Sequence, residues 1–210
     1  SIEANGIERE NPQVKIEEFL ASRSRYVLNT VFFTMGSSEI AGKYRLLRKE
    51  EVQNFRTENF ADADVLQIYY QVLNIIGKRL STNPKAEITL VGFSDGLIEK
   101  NDKKLAIERA EKLKEYLVDS WGIEEKRIKI QSGTSRIPIV SDGDEKLEAE
   151  EQRKVEIQSN TKAILEELRF EYTQRTVSPA KIRLGFDIQS DDKLQEWSVS
   201  CVQSVQSETN

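Results

Sequence analysis

Gly92-Phe93-Ser94-Asp95, followed fourteen residues after Asp95 by Arg109-Ala110, is the most informative stretch of this sequence. Apolar residues dominate positions 88–93 and predict a buried strand that ends at Asp95. A helix is expected to follow, because apolar residues then recur at helical spacing: Ala106, Ala110, Leu113 and Leu117. The stretch therefore places one carboxylate and one guanidinium where a strand passes into a helix, and such a pair can bind a zwitterion.

The composition excludes several classes of function. Lys and Arg number 31 against 36 Asp and Glu in the 210 residues, so the chain lacks the basic character of nucleic-acid-binding proteins. It contains no His and one cysteine, Cys201, so it has neither a His-based acid-base pair, nor an internal disulfide, nor metal-ligand spacing. We expect a protein that is not an enzyme, binds no metal and needs no cofactor, with carboxylate-based glycan hydrolysis as the enzymatic alternative.

The sequence also bears on how the protein reaches its compartment. No apolar run approaches the about 20 residues that a membrane-spanning helix needs. The chain starts at Ser1, and the opening residues contain no targeting signal. We therefore expect this sequence to be a piece of a longer protein, in which any export signal or membrane anchor lies outside the residues given.

Strand and helix patterns alternate through the middle of the chain. Helices are predicted at 62–80 and 102–119, with Asp102 as a natural N-cap, and strands at 86–93, 127–131 and 154–158. This alternation predicts the α/β class (an α+β sandwich), with a mixed sheet of about four strands and helices packed on one face.

The remaining segments extend this core. Residues 26–33 are apolar on both faces, which predicts a strand at the centre of the sheet. The polar residues 1–24 form a lead-in segment, with a short helical piece near 14–20. A charged stretch at 41–61 is predicted to be an insertion.

Beyond Leu168 the pattern changes to strands without helices. The predicted strands lie at 169–173, 181–188 and 196–202, separated by turn-forming residues. We therefore expect a main domain at 25–162 and a β-rich C-terminal extension, or a partial sandwich domain, at 163–210.

Three motifs in the chain resemble the OmpA C-terminal-like domain, a peptidoglycan-binding module of outer-membrane proteins, peptidoglycan-associated lipoproteins and flagellar stator proteins. The opening strand of that family resembles residues 31–40, VFFTMGSSEI. Its central motif resembles Ser94-Asp95 followed by residues 105–113, LAIERAEKL, and then Leu117. Its closing strand resembles residues 152–157, QRKVEI.

The resemblance implies a ligand and a site. In that family the aspartate and the helix arginine bind the diaminopimelate of the peptidoglycan stem peptide, and the matching residues here are Asp95 and Arg109. Ser94, Asn101 and Arg153 match further positions near the ligand, and the alternative for Arg153 is a solvated arginine at the end of a strand. The residue types suit this ligand, because its free end carries an ammonium for the carboxylate and a carboxylate for the planar guanidinium.

The resemblance also implies a cellular role. It predicts a non-catalytic module that anchors an envelope protein of a Gram-negative bacterium to the cell wall, with peptidoglycan as the partner. The predicted location is the periplasm, in association with the outer membrane, and any membrane contact would come from parts of the protein outside this sequence.

The chain departs from the family pattern at three positions. Phe93 replaces a histidine, Ser94 a threonine and Ala106 a serine, and the last change removes a hydrogen-bonding group. One alternative is therefore a structural or protein-interaction domain that keeps the fold without the ligand. At the level of the site, the corresponding alternative is a structural pair in which Asp95 caps the turn and Arg109 satisfies it.

Overall fold

A computed structural model describes residues 14–134 and 145–178, together with positions 189, 196, 198 and 200. Contacts divide the chain into two compact units, one of residues 20–172 and one of residues 1–19 with 173–210. The strand predicted at 181–188 and most positions of the strand predicted at 196–202 lie outside the described residues, and the domain bounds stay a prediction. None of the helices in the described ranges has the length and apolar character needed to cross a membrane.

A mixed four-stranded sheet forms the centre of the larger unit. Its strands are β2 (Thr30–Phe32), β3 (Ile88–Gly92), β4 (Ile128–Ser132) and β5 (Lys154–Gln158), in the order β2-β5-β3-β4. Strand β3 runs parallel to β4 and antiparallel to β5, which also pairs antiparallel with β2. The predicted mixed sheet of about four strands is confirmed.

Five helices are described: α1 (Val65–Tyr69), α2 (Val72–Thr82), α3 (Lys103–Asp119), α4 (Glu145–Gln152) and α5 (Lys162–Leu165). The helix predicted at 62–80 is thus divided into α1 and α2. At the break, the Tyr70 carbonyl accepts the N–H of Arg45, at 2.9 Å, from outside the helix. Asp102 is the N-cap of α3, as predicted, and accepts the N–H groups of Lys104 and Leu105.

One face of the sheet carries the hydrophobic core. Its buried residues are Val31, Ile88, Leu90, Ile128, Val155 and Ile157. They share one core with apolar residues of α2 and α3: Ile75, Ile76, Leu80, Ala110, Leu113 and Leu117. The opposite face bears Thr89, Lys129 and Glu156, so the helices pack on one face, as predicted.

The prediction of a central strand at residues 26–33 is wrong, because β2 lies at the edge of the sheet. Tyrosine hydroxyls take the place of a neighbouring strand. Tyr44 accepts the N–H of Phe32 at 2.8 Å, and Tyr69 donates to the carbonyl of Thr30 at 3.1 Å. The backbone of this edge is therefore satisfied by side chains that a local pattern does not reveal.

The helical piece predicted near residues 14–20 is also wrong. Lys15–Arg25 form a strand, β1, which pairs with β6 (Leu168–Ser178) in a separate two-stranded sheet. Strand formation here depends on a partner more than a hundred residues away in the sequence, and that pairing outweighs a weak helical periodicity. The strand predicted at 169–173 is confirmed as part of β6.

The predicted insertion at 41–61 contains two 3₁₀ turns, Val52–Asn54 and Thr57–Phe60. The stretch packs against the helices through its aromatic residues. Phe55 is buried and meets Trp121 edge to face, with ring centroids 5.6 Å apart.

Candidate functional site

Asp95 and Arg109 come together at the carboxyl end of β3. Asp95 opens the loop that leads from β3 to α3, and Arg109 extends back from α3 toward the same loop. Helix α3 lies close to this strand end, since a Cβ added at Gly92 would stand 1.8 Å from the carbonyl oxygen of Ala106. Both side chains are completely buried, at 0% relative exposure. We call residues 96–101 the covering loop.

Four N–H groups of the protein bind the carboxylate of Asp95, three at Oδ1 and one at Oδ2. Its Oδ1 accepts the backbone N–H groups of Leu97, Ile98 and Glu99, at 2.9, 2.6 and 3.1 Å. Its Oδ2 accepts the Nε–H of Arg153 at 2.8 Å. Burial alone would raise the pKa of Asp95, but the three N–H groups and Arg153 outweigh it and lower the pKa. Asp95 is therefore ionised at neutral pH.

The guanidinium of Arg109 uses all five of its N–H donors. Nε–H donates to the carbonyl of Ser37 at 2.9 Å, and the carbonyls of Phe93 and Thr34 accept from Nη1 and Nη2 at 2.9 and 3.1 Å. The remaining two donors bind the carboxylate of Glu99 in a two-pronged contact, at 2.8 and 2.6 Å. The side chain is thus saturated without any ligand.

Glu99 is the residue that the sequence analysis missed. Its carboxylate is 3% exposed and accepts two backbone N–H groups besides Arg109, from Gly36 at 2.8 Å and from Asp95 at 3.1 Å. We call this set of donors, the guanidinium of Arg109 with the N–H groups of Gly36 and Asp95, the carboxylate cradle. The available signal was modest: Glu99 is the one acidic residue in the covering loop.

The other predicted site residues have different surroundings. Arg153 binds the carboxylate of Asp95, and its side chain is 9% exposed, so it is buried and not a solvated arginine. Ser94 is buried, and its hydroxyl donates to the carbonyl of Asp102 at the start of α3, at 3.0 Å. Asn101 is exposed with a φ of 55°, and its N–H donates to the Asp95 carbonyl at 2.8 Å. Ligand binding by any of these residues stays a prediction.

The four charged side chains of Asp95, Glu99, Arg109 and Arg153 form what we call the charge cluster. Asp95 caps the turn, as the structural alternative predicts, but the salt-bridge partner of Arg109 is Glu99 and that of Asp95 is Arg153. The cluster holds two acids and two bases, so its formal charges sum to zero. Burial of such a set is tolerated only because each charge is paired and hydrogen-bonded.

An open groove of about 550 Å³ lies beside the charge cluster. Arg153 belongs to both, because it lines the groove and binds Asp95. The groove mixes apolar and charged residues, among them Phe33, Met35, Lys43, Leu147 and Glu150. Its volume lies in the range of ligand-binding clefts.

No protein-family model and no curated protein matches the chain. Solved structures with some likeness include the peptidoglycan-associated lipoprotein from Burkholderia pseudomallei (15% identity, 63% of this chain, 90% of that chain, TM-score 0.42). Another is the C-terminal domain of Helicobacter pylori MotB (19% identity, 62% of this chain, 82% of that chain, TM-score 0.39). A third is the OmpA-like domain of Francisella tularensis FopA1 (9% identity, 74% of this chain, 84% of that chain, TM-score 0.39). These solved domains belong to the family that the sequence motifs resemble, although at such identities and TM-scores the likeness does not indicate what this chain binds.

Proposed function

We propose that this chain is a non-catalytic module that binds the peptidoglycan stem peptide, with the free zwitterionic end of diaminopimelate as the bound group. The carboxylate cradle is the observation that supports this proposal. Arg109 and the N–H groups of Gly36 and Asp95 converge on the carboxylate of Glu99. The carboxylate of Asp95 lies beside it and binds the guanidinium of Arg153.

The head group of diaminopimelate has the charges that this arrangement recognises. Its carboxylate takes the cradle, and its ammonium donates to Asp95. A charge-assisted hydrogen bond contributes about 1.5–3 kcal/mol net, so a few of them give modest affinity at a single site. Firm attachment to the cell wall then comes from many copies acting along one polymer.

The proposed cellular location and parent protein are those that the family resemblance implies. The groove beside Arg153 has room for the rest of a stem peptide. The parent protein is a Gram-negative envelope protein that this module holds to the peptidoglycan from the periplasm, in association with the outer membrane.

Retention on purified sacculi tests the proposal, with Asp95→Asn and Arg109→Lys as the site variants. Each removes one charge-assisted contact, so bound protein is expected to fall roughly tenfold or more. Arg48→Ala, at an exposed arginine, is the matched control and is expected to behave as the wild type. Circular dichroism confirms that each variant is folded.

Titration with a diaminopimelate-containing muropeptide gives the location. The amide resonances of Gly36 and Asp95, the two backbone donors of the cradle, are expected to shift. The proposal is contradicted if both site variants are retained as well as the wild type. It is also contradicted if these amide resonances do not shift in either the wild type or Glu99→Gln.

The complete burial of Asp95 and Arg109 favours a second candidate function. Because the charge cluster satisfies itself, the chain is then a structural or protein-interaction domain that has kept the fold and lost the ligand. Unshifted cradle amides in both the wild type and Glu99→Gln, with both proteins folded, support this candidate over the first.

A further inference from the structure

We infer that Glu99 is an internal competitor for the ligand, and that a ligand carboxylate enters the site only by exchange with the carboxylate of Glu99. This inference rests on the proposed function and deepens it. It names the residue that sets the affinity of the site and the segment, the covering loop, that must move.

The hydrogen bonds of the site exclude simple addition of a ligand. Arg109 has no free N–H, and each oxygen of Glu99 accepts one of its prongs and one backbone N–H. A second carboxylate placed at Arg109 would find every donor taken and would bring an unpaired charge into a buried site. The ligand therefore has to displace a group that is already there.

Exchange avoids this cost. A ligand carboxylate that takes over the carboxylate cradle accepts the same N–H groups that Glu99 releases, while the carboxylate of Glu99 passes into water. The buried charge at Arg109 is therefore paired with a carboxylate both before and after the exchange. Departure of Glu99 without a replacement would instead leave a buried guanidinium without its counter-ion.

The covering loop is built so that it can open. Leu97 and Ile98 are 44% and 59% exposed, so lifting the loop uncovers little of the hydrophobic core. Lys100 and Asn101 follow Glu99 directly and adopt φ values of 54° and 55°, a left-handed conformation that Asn takes readily but Lys takes rarely. The closed loop therefore carries backbone strain, which the contacts of Glu99 and of Asp95 offset.

Calorimetric titration with a diaminopimelate-containing muropeptide tests the exchange. Glu99→Gln keeps the shape of the side chain and removes its charge, so the variant is expected to bind roughly tenfold more tightly than the wild type or better. Glu115→Gln, at an exposed glutamate that binds Lys112, is the matched control and is expected to leave the affinity unchanged.

The outcomes separate the two proposals. Tighter binding by Glu99→Gln supports the inference, including the case in which the wild type shows no measurable binding. Equal or weaker binding by Glu99→Gln, with a wild type that binds, overturns the inference and leaves the proposed function standing. Absence of binding in both proteins overturns the proposed function, and the inference that rests on it fails with it.

A second measurement needs no peptidoglycan. Glu99→Ala leaves the carboxylate cradle without an acceptor, and acetate can supply one. Acetate is therefore expected to raise the Tm of this variant by a few degrees over chloride at equal ionic strength. The wild type and Glu115→Ala are expected not to respond. If Glu99→Ala is only partly folded, the increase of its folded fraction on addition of acetate is measured instead of the Tm. The same response in all three proteins means that the cradle does not take external carboxylates, and this overturns the inference.

Discussion

Asp95 and Glu99 hold each other in place. The N–H of Asp95 donates to the carboxylate of Glu99, and the N–H of Glu99 donates to the carboxylate of Asp95, both at 3.1 Å. Each carboxylate also pairs with its own arginine, Arg109 or Arg153. The two salt bridges are therefore interlocked, and loss of one is expected to loosen the other.

Arg109→Met tests the cost of breaking this arrangement. It leaves the carboxylate of Glu99, which is 3% exposed, without its counter-ion. The free energy of unfolding is therefore expected to fall by about 3–5 kcal/mol. The double variant Arg109→Met with Glu99→Met removes both charges and is expected to lose less than the sum of the two single variants. Urea unfolding of all four proteins measures this coupling. Additivity to within about 0.5 kcal/mol contradicts it.

Strand β3 and helix α3 form the element that positions the site. Asp95 follows the last residues of the strand and Arg109 lies on the helix, so the separation of the two side chains depends on how closely strand and helix pack. That contact is made at Gly92, whose missing side chain lets the backbone of α3 approach at Ala106.

Gly92→Ala is expected to separate the two elements. Its Cβ would lie 1.8 Å from the carbonyl oxygen of Ala106, so the backbone of β3 or of α3 has to shift. We expect a loss of stability of about 1–3 kcal/mol or more, together with shifted amide resonances in the covering loop. Gly42→Ala is the matched control, since a Cβ there meets nothing within 4 Å. Similar thermal unfolding of the two variants would show that the close approach is unimportant.

In the unit of residues 20–172, a buried polar network holds the predicted insertion against the helices. Asn74 donates to the carbonyl of Arg45 at 2.8 Å, and Tyr116 accepts the N–H of Leu47 at 2.9 Å. Tyr116 also donates to the side chain of Asn74. Burial raises the pKa of Tyr116 and keeps its hydroxyl protonated. The insertion is thus fixed by a few specific hydrogen bonds as well as by its aromatic residues.

Tyr116→Phe removes the hydroxyl at the centre of this network. The Leu47 N–H and the Asn74 side-chain oxygen each lose a partner, so the free energy of unfolding is expected to fall by about 1–3 kcal/mol. Hydrogen exchange at the amide of Leu47 is expected to become faster. Tyr70→Phe is the comparison, at a partly buried tyrosine. Equal exchange at Leu47 in both variants argues against this role for the network.

Local patterns were enough to predict much of the sheet and its helices. Strands β3, β4 and β5 and helix α3 lie within one or two residues of their predicted bounds, because each has a continuous apolar face or stripe of the right period. The same local patterns of apolar residues placed Asp95 and Arg109 at a junction of strand and helix. None of this requires knowledge of which distant segments meet.

The contacts that govern the site could not be found in this way. Arg109 donates to the carbonyls of Ser37 and Thr34, 72 and 75 residues away, and Asp95 binds Arg153, 58 residues away. The edge position of β2 and the pairing of β1 with β6 are equally long-range. Periodicity reports which face of an element avoids water, whereas the partner of a buried charge depends on the distant groups that folding brings beside it. The pairing of Arg109 with Glu99, only ten residues away, depends instead on the conformation of the covering loop, which no periodic pattern describes.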